Sequence, residues 1–317
     1  MKLSVALCTY NGSQFIEQQI RSILNQTIKI DEIIICDDQS TDTTISILKK
    51  LLKDNPEITI IENKINVKST KNFEKAIART TGDYIFLSDQ DDVWKKDKVE
   101  KILNVFKLNP TAEGVFSNAD LIDQNNAIFT NKTIWDSVFF CENELKKPID
   151  FFDIIAMNGN IVTGATLCIK KEIKSFIIPI SEENLHDEWI ASLLALRKTL
   201  FYSTENLISY RIHSNQQVGM KRLEKVDNMT SKKRIILGLE KPTKFTDYRI
   251  LSKKIFLKQK ELLNFKKYNF EFIDVEKLVV QYKLELEEIR KKTKSKFPLR
   301  YHLTSIIDSI LGKRNQI

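Results

Sequence analysis

Three carboxylates stand close together in the stretch Ser88-Asp89-Gln90-Asp91-Asp92, directly after the apolar run 84–87. Two like charges 4 Å apart repel by about 4 kcal/mol at an effective dielectric constant of 20. Such a cluster needs water, a basic partner, a helix N-terminus or a metal ion to offset the repulsion. Mg²⁺ and Mn²⁺ commonly bind one or two carboxylates together with phosphate oxygens. The stretch therefore indicates a site for a divalent cation and a diphosphate; a hydrogen-bonded turn without metal is the alternative.

The elements around this stretch predict where it lies. Apolar runs typical of buried strands cover residues 3–8, 33–36, 58–61 and 84–87, and amphipathic helical patterns separate them. Ser13 and Asp42 are candidate first residues of two of these helices. Continuous apolar strands that alternate with amphipathic helices predict an α/β fold, with a mostly parallel sheet covered on both faces.

Polar residues follow three of these strands. The first strand is followed by Thr9-Tyr10-Asn11-Gly12, the second by Asp37-Asp38-Gln39-Ser40 and the fourth by the acidic stretch. Ligands bind outside the carboxyl ends of strands in such sheets. An aromatic ring can stack on a nucleobase, and a carboxylate can accept hydrogen bonds from a base or a ribose. The three strand ends therefore predict a nucleotide site.

Other nucleotide-binding folds lack their motifs here. A dinucleotide-binding Rossmann domain needs G-x-G-x-x-G after its first strand, and a P-loop needs G-x-x-x-x-G-K-[ST]. The first strand end offers only Gly12, and it also lacks the glycine-rich, arginine-containing loop expected of a sugar-phosphate nucleotidyltransferase. These three classes are disfavoured.

The chain beyond residue 110 has a less regular pattern. Strands are expected over 115–120, 164–169 and 207–213, with a helix over 187–197 and an irregular segment over 121–148. The four cysteines form no C-x-x-C pair, so we expect buried, reduced thiols and no zinc site. No apolar run approaches the roughly 18 residues of a membrane-spanning helix, and no signal peptide is expected.

Charge divides the chain near residue 220. Residues 1–219 carry 25 Lys and Arg against 30 Asp and Glu, whereas residues 220–317 carry 25 against 12. The net charges are thus −5 and +13, which predicts a domain over 1–219 and a basic helical extension over 220–317. In the extension we expect helices near 250–265 and 275–289, a basic linker over 291–296 and a terminal amphipathic helix over 297–311.

Five motifs in order give the first part a family resemblance. They are VALCTYNG (5–12), ICDDQSTD (35–42), LSDQDDVW (87–94), LHDEW (185–189) and YRIHSN (210–215). With these motifs, the sequence resembles the family 2 glycosyltransferases of the GT-A nucleotide-diphospho-sugar transferase fold, close to the bacterial rhamnosyltransferase-like branch. The resemblance covers roughly residues 1–219.

The resemblance implies roles for the first two strand ends. Tyr10 would stack on the nucleobase of the donor, with Thr9 and Asn11 beside it. Asp38 would contact the base or the ribose, and Asp37 would support Asp38. From the residues alone, Tyr10 could instead be a packing ring, and Asp37 or Asp38 could be a solvated strand end.

The resemblance also implies the residues of the reaction. Asp89 and Asp91 would form the D-x-D pair that binds Mg²⁺ or Mn²⁺, with Asp91 as the direct ligand, and His213 would add a metal or diphosphate contact. Asp187 would be the catalytic base, ionised at an ordinary aspartate pKa of about 3.9. A charge at a helix N-terminus is the alternative for Asp187. His186 departs from the glutamate common before the base, and we expect it to be structural.

The implied activity is an inverting, metal-dependent transfer of a sugar from a nucleoside diphosphate. The expected donor is dTDP-rhamnose and the expected acceptor is a hydroxyl of a growing cell-surface glycan. A UDP-hexose or UDP-N-acetylhexosamine donor is the first alternative. A non-catalytic relative that only binds nucleotide sugars is the second.

The basic extension has three interpretations: an anionic membrane surface, a solvated helical face or nucleic acid as its partner. We favour the membrane surface, because a lipid-linked acceptor would be presented there and residues 297–311 have an amphipathic pattern. No nucleic-acid reader motif is present, so nucleic acid is not expected. The predicted location is the cytoplasm, peripheral to the inner face of the cytoplasmic membrane.

Overall fold

The computed structural model describes residues 1–310 except 139, 146, 215, 217–230, 269 and 272–273. The chain forms two compact units. The first comprises Met1–Phe140 and Asn160–Leu223, and the second comprises Cys141–Gly159 and Glu224–Ile317. The segment Cys141–Gly159, which the charge pattern placed in the first part, therefore lies with the C-terminal helices.

The strands of the described residues all lie in the first unit. They are β1 (Leu3–Thr9), β2 (Glu32–Asp37), β3 (Ile58–Glu62), β4 (Tyr84–Ser88), β5 (Val93–Trp94), β6 (Gly114–Ile122), β7 (Ile128–Thr133), β8 (Cys168–Lys170) and β9 (Leu200–Arg211).

Helices occur in both units. In the first unit they are α1 (Ile16–Leu24), α2 (Thr44–Leu52), α3 (Lys68–Arg79), α4 (Lys98–Leu108), α5 (Ile134–Val138), α7 (Lys174–Ile177) and α8 (His186–Leu196), and in the second α6 (Phe151–Asn158), α9 (Ser231–Ile236), α10 (Phe245–Lys266), α11 (Val275–Lys296) and α12 (Pro298–Ile310). Short 3₁₀ turns cover Gly164–Thr166 and Lys171–Ile173.

The strands form one mixed sheet in the order β3-β2-β1-β4-β8-β6-β9-β5, with β7 paired to β6. The first four strands are parallel, as the sequence predicts, and Thr9 is registered beside Asp37. All seven residues of β1 are buried, which explains the continuous apolar run. The buried face of α3, with Phe73, Ala76 and Ile77, packs on β1 and β2. This arrangement brings the carboxyl ends of β1, β2 and β4 to one edge.

In the second half of the sheet, the strand that follows the acidic stretch pairs with β9. β8 runs antiparallel to both β4 and β6, and β6 runs parallel to β9. β5 follows the acidic stretch and pairs antiparallel with β9, where Val93 is registered with Ser209. The turn between β4 and β5 is therefore anchored at both of its ends.

Several expectations from the sequence were wrong; for example, α1 begins at Ile16 and not at Ser13. Residues 121–148 are not simply irregular, because they contain β7 and α5. The expected strand over 164–169 begins as a 3₁₀ turn, and only Cys168–Lys170 is strand. The expected linker over 291–296 is the last part of α11, since lysine is a good helix former when its charge remains in water.

A partly buried polar network holds α6 among the helices of the second unit. Lys258 on α10 is almost fully buried, and its ammonium group pairs with Asp153 on α6. The same group lies 3.6 Å from the ring centre of Tyr282 on α11, and the Tyr282 hydroxyl donates to Asp153 Oδ1 at 3.0 Å. Because a buried ammonium group needs partners, this network explains why Cys141–Gly159 belongs to the helical unit.

Within the residues that the structure describes, no helix is both long enough and apolar enough to cross a membrane.

Candidate functional site

A cavity of about 610 Å³ lies in the first unit at the carboxyl ends of β1, β2 and β4. We call it the strand-end cavity. Its walls include seven of the nine residues to which the sequence assigns a binding or catalytic role: Thr9, Tyr10, Asn11, Asp38, Asp89, Asp91 and Asp187. The other two, Asp37 and His213, lie outside the wall and contact residues that form it. The fold thus brings residues that are far apart in sequence around one space.

The end of β1 is held by a side chain from the acidic turn. Gln90 accepts a hydrogen bond from Tyr10 N at 2.9 Å and donates to Tyr10 O at 3.1 Å. A Cβ atom at Gly12 would lie 2.2 Å from Gln90 Oε1, so a larger residue at position 12 would displace the Gln90 side chain from this bridge. Asn11, at φ 49°, accepts from Thr41 N at 2.8 Å. The Tyr10 side chain is 37% exposed at the cavity wall, where its ring is accessible to a ligand.

Asp37 fixes the turn after β2. Its carboxylate is buried and accepts from Thr9 Oγ1 and Ser40 Oγ, both at 2.6 Å, and from Ser40 N at 2.8 Å. It is therefore not a solvated strand end. The carboxylate shapes the loop that carries its neighbour Asp38.

Asp38 links β2 to the start of α3. Its Oδ1 accepts from Asn63 Nδ2 at 2.9 Å and Val67 N at 2.8 Å, and its Oδ2 accepts from Lys68 N at 2.8 Å. These bonds satisfy backbone donors at the N-terminus of α3. A carboxylate has about four lone-pair sites, so Asp38 retains acceptor capacity toward the cavity.

The acidic turn after β4 is half-buried at residues 89–91 and buried at residue 92. Asp92 is fully buried, and its Oδ1 accepts from Arg211 N at 3.0 Å. Its Oδ2 has no hydrogen-bond partner in the described part of the chain. The Asp91 side chain is 14% exposed, and its Oδ2 lies 2.9 Å from His213 Nε2. His213 therefore contacts Asp91, and its role toward a metal or diphosphate stays a prediction.

Burial and mutual repulsion raise the pKa values of this cluster. Burial, then the charges of Asp91 and Asp187, raise the pKa of Asp89 to about 8. Burial, then Asp91 and Asp89, raise the pKa of Asp92 well above its usual range. Without a bound cation, the cluster therefore holds protons at neutral pH. The cluster therefore lacks enough nearby positive charge to keep all of its carboxyl groups ionised.

One buried lysine offsets part of this negative charge. Lys98, the first residue of α4, donates to Ala165 O at 2.8 Å and lies 3.7 Å from the ring centre of Trp94. Burial lowers its pKa to about 7, against the attraction of Cys168, Asp92 and Asp89. Lys98 is thus only partly charged at neutral pH and cannot neutralise the cluster alone.

Arg211, at the end of β9, fixes the backbone of the acidic turn. It is fully buried, and its guanidinium donates to Asp91 O at 2.6 Å and to Asp123 O at 2.9 Å. It also donates to Gln18 Oε1 at 3.0 Å and to Asn126 Oδ1 at 2.8 Å. A planar group with several donors can join separate segments in this way. Arg211 therefore holds the backbone of Asp91 in place.

Asp187 enters the cavity from the first turn of α8. Its Oδ2 accepts from Gly164 N at 3.0 Å and its Oδ1 accepts from Glu188 N at 2.7 Å, so the carboxylate has a fixed orientation. Burial raises its pKa to about 6, against these backbone hydrogen bonds. The ordinary aspartate value expected from the sequence was too low. A pKa near neutrality suits a general base.

His186 is neutral and has no partner for its ring nitrogens in the described residues. Its exposed fraction is 6%, and its ring stacks on Phe73 with centroids 3.7 Å apart. Burial lowers its pKa to about 3. The ring lines the strand-end cavity beside Asp187. Its nitrogens can therefore meet a bound polar group, and packing on Phe73 is only part of its surroundings.

The residues present fit a divalent cation. Among the described residues, no group of three or more His, Cys, Asp and Glu side chains could hold a metal unaided. Asp89 and Asp91 are nevertheless hard oxygen donors on one turn, and their cluster lacks positive charge. Mg²⁺ and Mn²⁺ typically complete a coordination shell of one or two carboxylates with phosphate and water. The arrangement fits a cation that arrives with a diphosphate.

Three supporting residues were missed from the sequence. Gln90 and Arg211 lie inside the quoted motifs, but their partners are distant in the chain and no spacing shows them. Lys98 did leave a signal, because it shares a helix face with the apolar Ile102 and Phe106. A lysine on such a face indicates a buried cation that needs acidic neighbours.

Comparison with known proteins agrees with this geometry. Residues 4–160 match the pattern of Glycosyl transferase family 2. The dTDP-rhamnosyl transferase RfbG of Shigella flexneri is 31% identical over 230 residues, which cover 67% of this chain and 73% of that protein. An uncharacterized glycosyltransferase of Haemophilus influenzae is 28% identical over 236 residues, which cover 73% and 71%.

A solved structure supports the fold. The mannosyltransferase PcManGT from Pyrobaculum calidifontis, in complex with GDP-Man and Mn²⁺, superposes with a TM-score of 0.52 at 13% identity. The match covers 98% of this chain and 80% of that one. The chain therefore has a GT-A-like fold, as the sequence predicted. The chain belongs to Glycosyl transferase family 2.

We expect Arg211→Met to destabilise the first unit by about 2–5 kcal/mol, because it leaves several buried acceptors without their charged donor. Thermal unfolding followed by circular dichroism would measure the loss. The matched control is Arg21→Met, which removes an exposed ion pair with Glu17 and should cost less than about 1 kcal/mol. Equal unfolding temperatures for both variants would contradict the anchoring role of Arg211.

Proposed function

We propose that the protein transfers a sugar from a nucleoside-diphosphate donor, dTDP-rhamnose, to a hydroxyl of a growing cell-surface glycan, with inversion at the anomeric carbon. The carrying observation is the strand-end cavity, where Asp89 and Asp91 face the same space as Tyr10, Asp38 and Asp187. The description of RfbG as a dTDP-rhamnosyl transferase supports the choice of donor.

The nucleoside occupies the wall formed by the ends of β1 and β2. The exposed ring of Tyr10 offers a face for the base, between Thr9 and Asn11. Asp38, positioned by Asp37 and its loop, accepts from the base or the ribose. Because α3 and the Gln90 bridge already fix these groups, binding orders few side chains.

The diphosphate lies at the acidic turn. Asp91, with Asp89 and His213, would hold Mg²⁺ or Mn²⁺ there. The bound cation supplies positive charge that stabilises the departing diphosphate. The Mn²⁺ in the complex of PcManGT with GDP-Man supports this assignment. Arg211 keeps the turn in place through Asp91 O.

Asp187 is the general base. Its carboxylate takes the proton of the acceptor hydroxyl, whose oxygen then bonds to the anomeric carbon. The bond from that carbon to the diphosphate oxygen breaks, and the nucleoside diphosphate leaves with its electron pair. A single displacement needs no enzyme nucleophile, so the product has the inverted configuration. The neutral ring of His186 beside the base can bind a sugar hydroxyl as donor or acceptor.

The acceptor is a lipid-linked glycan, and the protein works as a peripheral protein at the inner face of the cytoplasmic membrane. The basic extension, residues 220–317, is the part that contacts the membrane. Its net charge of +13 supports this assignment, since anionic lipids attract basic segments.

A panel of nucleotide sugars tests the function. dTDP-rhamnose, UDP-glucose, UDP-galactose and UDP-N-acetylglucosamine would each be added with Mg²⁺, Mn²⁺ or EDTA, and binding followed by ligand-observed NMR. We expect dTDP-rhamnose to bind only with metal and to be consumed when a glycan acceptor is present. Binding of a UDP sugar alone would replace the donor, and binding without transfer to any acceptor would favour a non-catalytic relative.

Asp91→Ala should abolish metal-dependent donor binding and reduce transfer about 100-fold or more, because a catalytic cation contributes several kcal/mol. Calorimetry with the donor and Mn²⁺, with and without EDTA, would measure binding. An unchanged unfolding temperature controls for folding. Normal turnover by this variant in excess chelator would rule out the metal role.

Asp187→Asn should retain donor affinity while kcat falls by about 10²–10⁴-fold, the usual contribution of a general base. For the unsubstituted protein with saturating metal and donor, kcat should rise with pH and level off above about pH 6, because the base acts when deprotonated. Glu188→Gln is the matched control, since it changes the next carboxyl on α8. If the glutamine variant loses transfer and the asparagine variant keeps it, the base is Glu188 instead.

A further inference from the structure

The last helix of the described chain has its polar side inward. On α12, Asp308 is buried and its carboxylate lies 3.3 Å from an Arg249 guanidinium nitrogen on α10. Tyr301 and Thr304, which share this side of the helix, are half-buried. The inner side of α12 is therefore held by polar contacts within the second unit.

The opposite side of α12 is apolar and exposed to solvent. Its exposed fractions are 80% for Leu299, 62% for Leu303, 58% for Ile306 and 52% for Ile307. Residues at spacings of four, seven and eight form one stripe along a helix. A globular helix normally buries such a stripe, and contiguous exposed apolar surface marks an interaction site.

Basic residues precede this stripe directly. Residues 291–300 contain five Lys and Arg and no Asp or Glu. Lys291, Lys292, Lys294 and Lys296 are exposed on the last part of α11, and Arg300 is exposed at the start of α12. An apolar stripe beside positive charge matches the interface of an anionic bilayer, where negatively charged headgroups border the apolar acyl chains.

We propose that the apolar stripe of α12, with the adjacent basic residues 291–300, is the surface by which this chain docks on an anionic lipid bilayer. The helix lies in the plane of the interface, with its leucine and isoleucine side chains among the acyl chains and the lysines at the headgroups. This proposal deepens the proposed function by naming the membrane-contacting surface. It does not depend on catalysis.

The test is co-sedimentation of the full chain with vesicles of phosphatidylcholine, with and without phosphatidylglycerol, in EDTA and without donor. We expect binding only to the anionic vesicles, weakened by salt. The double variant Leu303→Glu and Ile306→Glu should lower the partition coefficient at least about tenfold, since it removes apolar contact and adds negative charge. Both positions are exposed, so the fold should be retained.

Two further variants separate charge from apolar contact. Ser305→Glu with Gln281→Glu adds the same charge at exposed positions outside the stripe, and should change partitioning by less than about threefold. Leu303→Ser with Ile306→Ser removes the apolar groups without charge and should also weaken binding. Equal binding by the stripe variants and the control would overturn the proposal.

Light scattering tests whether a second copy of the chain, and not a membrane, covers the stripe. If the chain is a dimer that the glutamate pair dissociates, and no vesicle is bound, the stripe is an interface between copies and the proposal is wrong. Vesicle binding is measured without donor or metal. A finding that the protein transfers no sugar would therefore not change the outcome of the vesicle test. Vesicle binding that persists in the stripe variants would likewise leave the proposed reaction untouched.

Discussion

The site depends on the repulsion among carboxylates that the sheet brings together. Asp89, Asp91 and Asp92 share one turn, and Asp187 approaches from α8. Lys98 and Arg211 offset part of the charge, yet burial and repulsion still raise the pKa of Asp89 to about 8. Buried carboxylates this close together repel one another, so a cation bound among them would lower the electrostatic free energy of the site. Binding of a cation with a diphosphate is the chemistry that this constraint favours.

The remaining structure can be understood as support for that cluster. The parallel register of β1, β2 and β4 places three strand ends at one edge, and the pairing of β5 with β9 closes the acidic turn. Asp37, Asp38 and Gln90 form hydrogen bonds to neighbouring loops, so the wall at the ends of β1 and β2 is already ordered without a ligand. Asp187 is oriented by two backbone donors. The second unit has its own polar pair, in which the buried ammonium group of Lys258 meets the half-exposed carboxylate of Asp153.

The parts that sequence reasoning predicted were those determined by local pattern. The four parallel strands and the helix beginning near Asp187 follow from apolar periodicity, and the acidic turn follows from its position after a strand. What it missed depends on contacts between distant segments. β7 is a strand because it pairs with β6. Residues 291–296 are helical as the last part of α11, a long helix whose end the lysine-rich pattern does not mark. Arg211 could not be recognised as an anchor, since its partners Gln18, Asp91 and Asp123 come from three other places in the chain.

A cation that binds at the acidic turn should displace the proton that Asp89 otherwise holds at neutral pH. Carbon-13 NMR of labelled aspartate carboxyl groups, titrated from pH 4 to pH 10, measures this directly, with Asp89→Asn to assign the signal. In EDTA, we expect a carboxyl group that titrates near pH 8. With Mg²⁺ and a nucleoside diphosphate, that titration should move well below neutral pH, because the cation favours the ionised form. A site in which no aspartate titrates above pH 6 in EDTA, or in which the titration ignores the metal, would contradict the account.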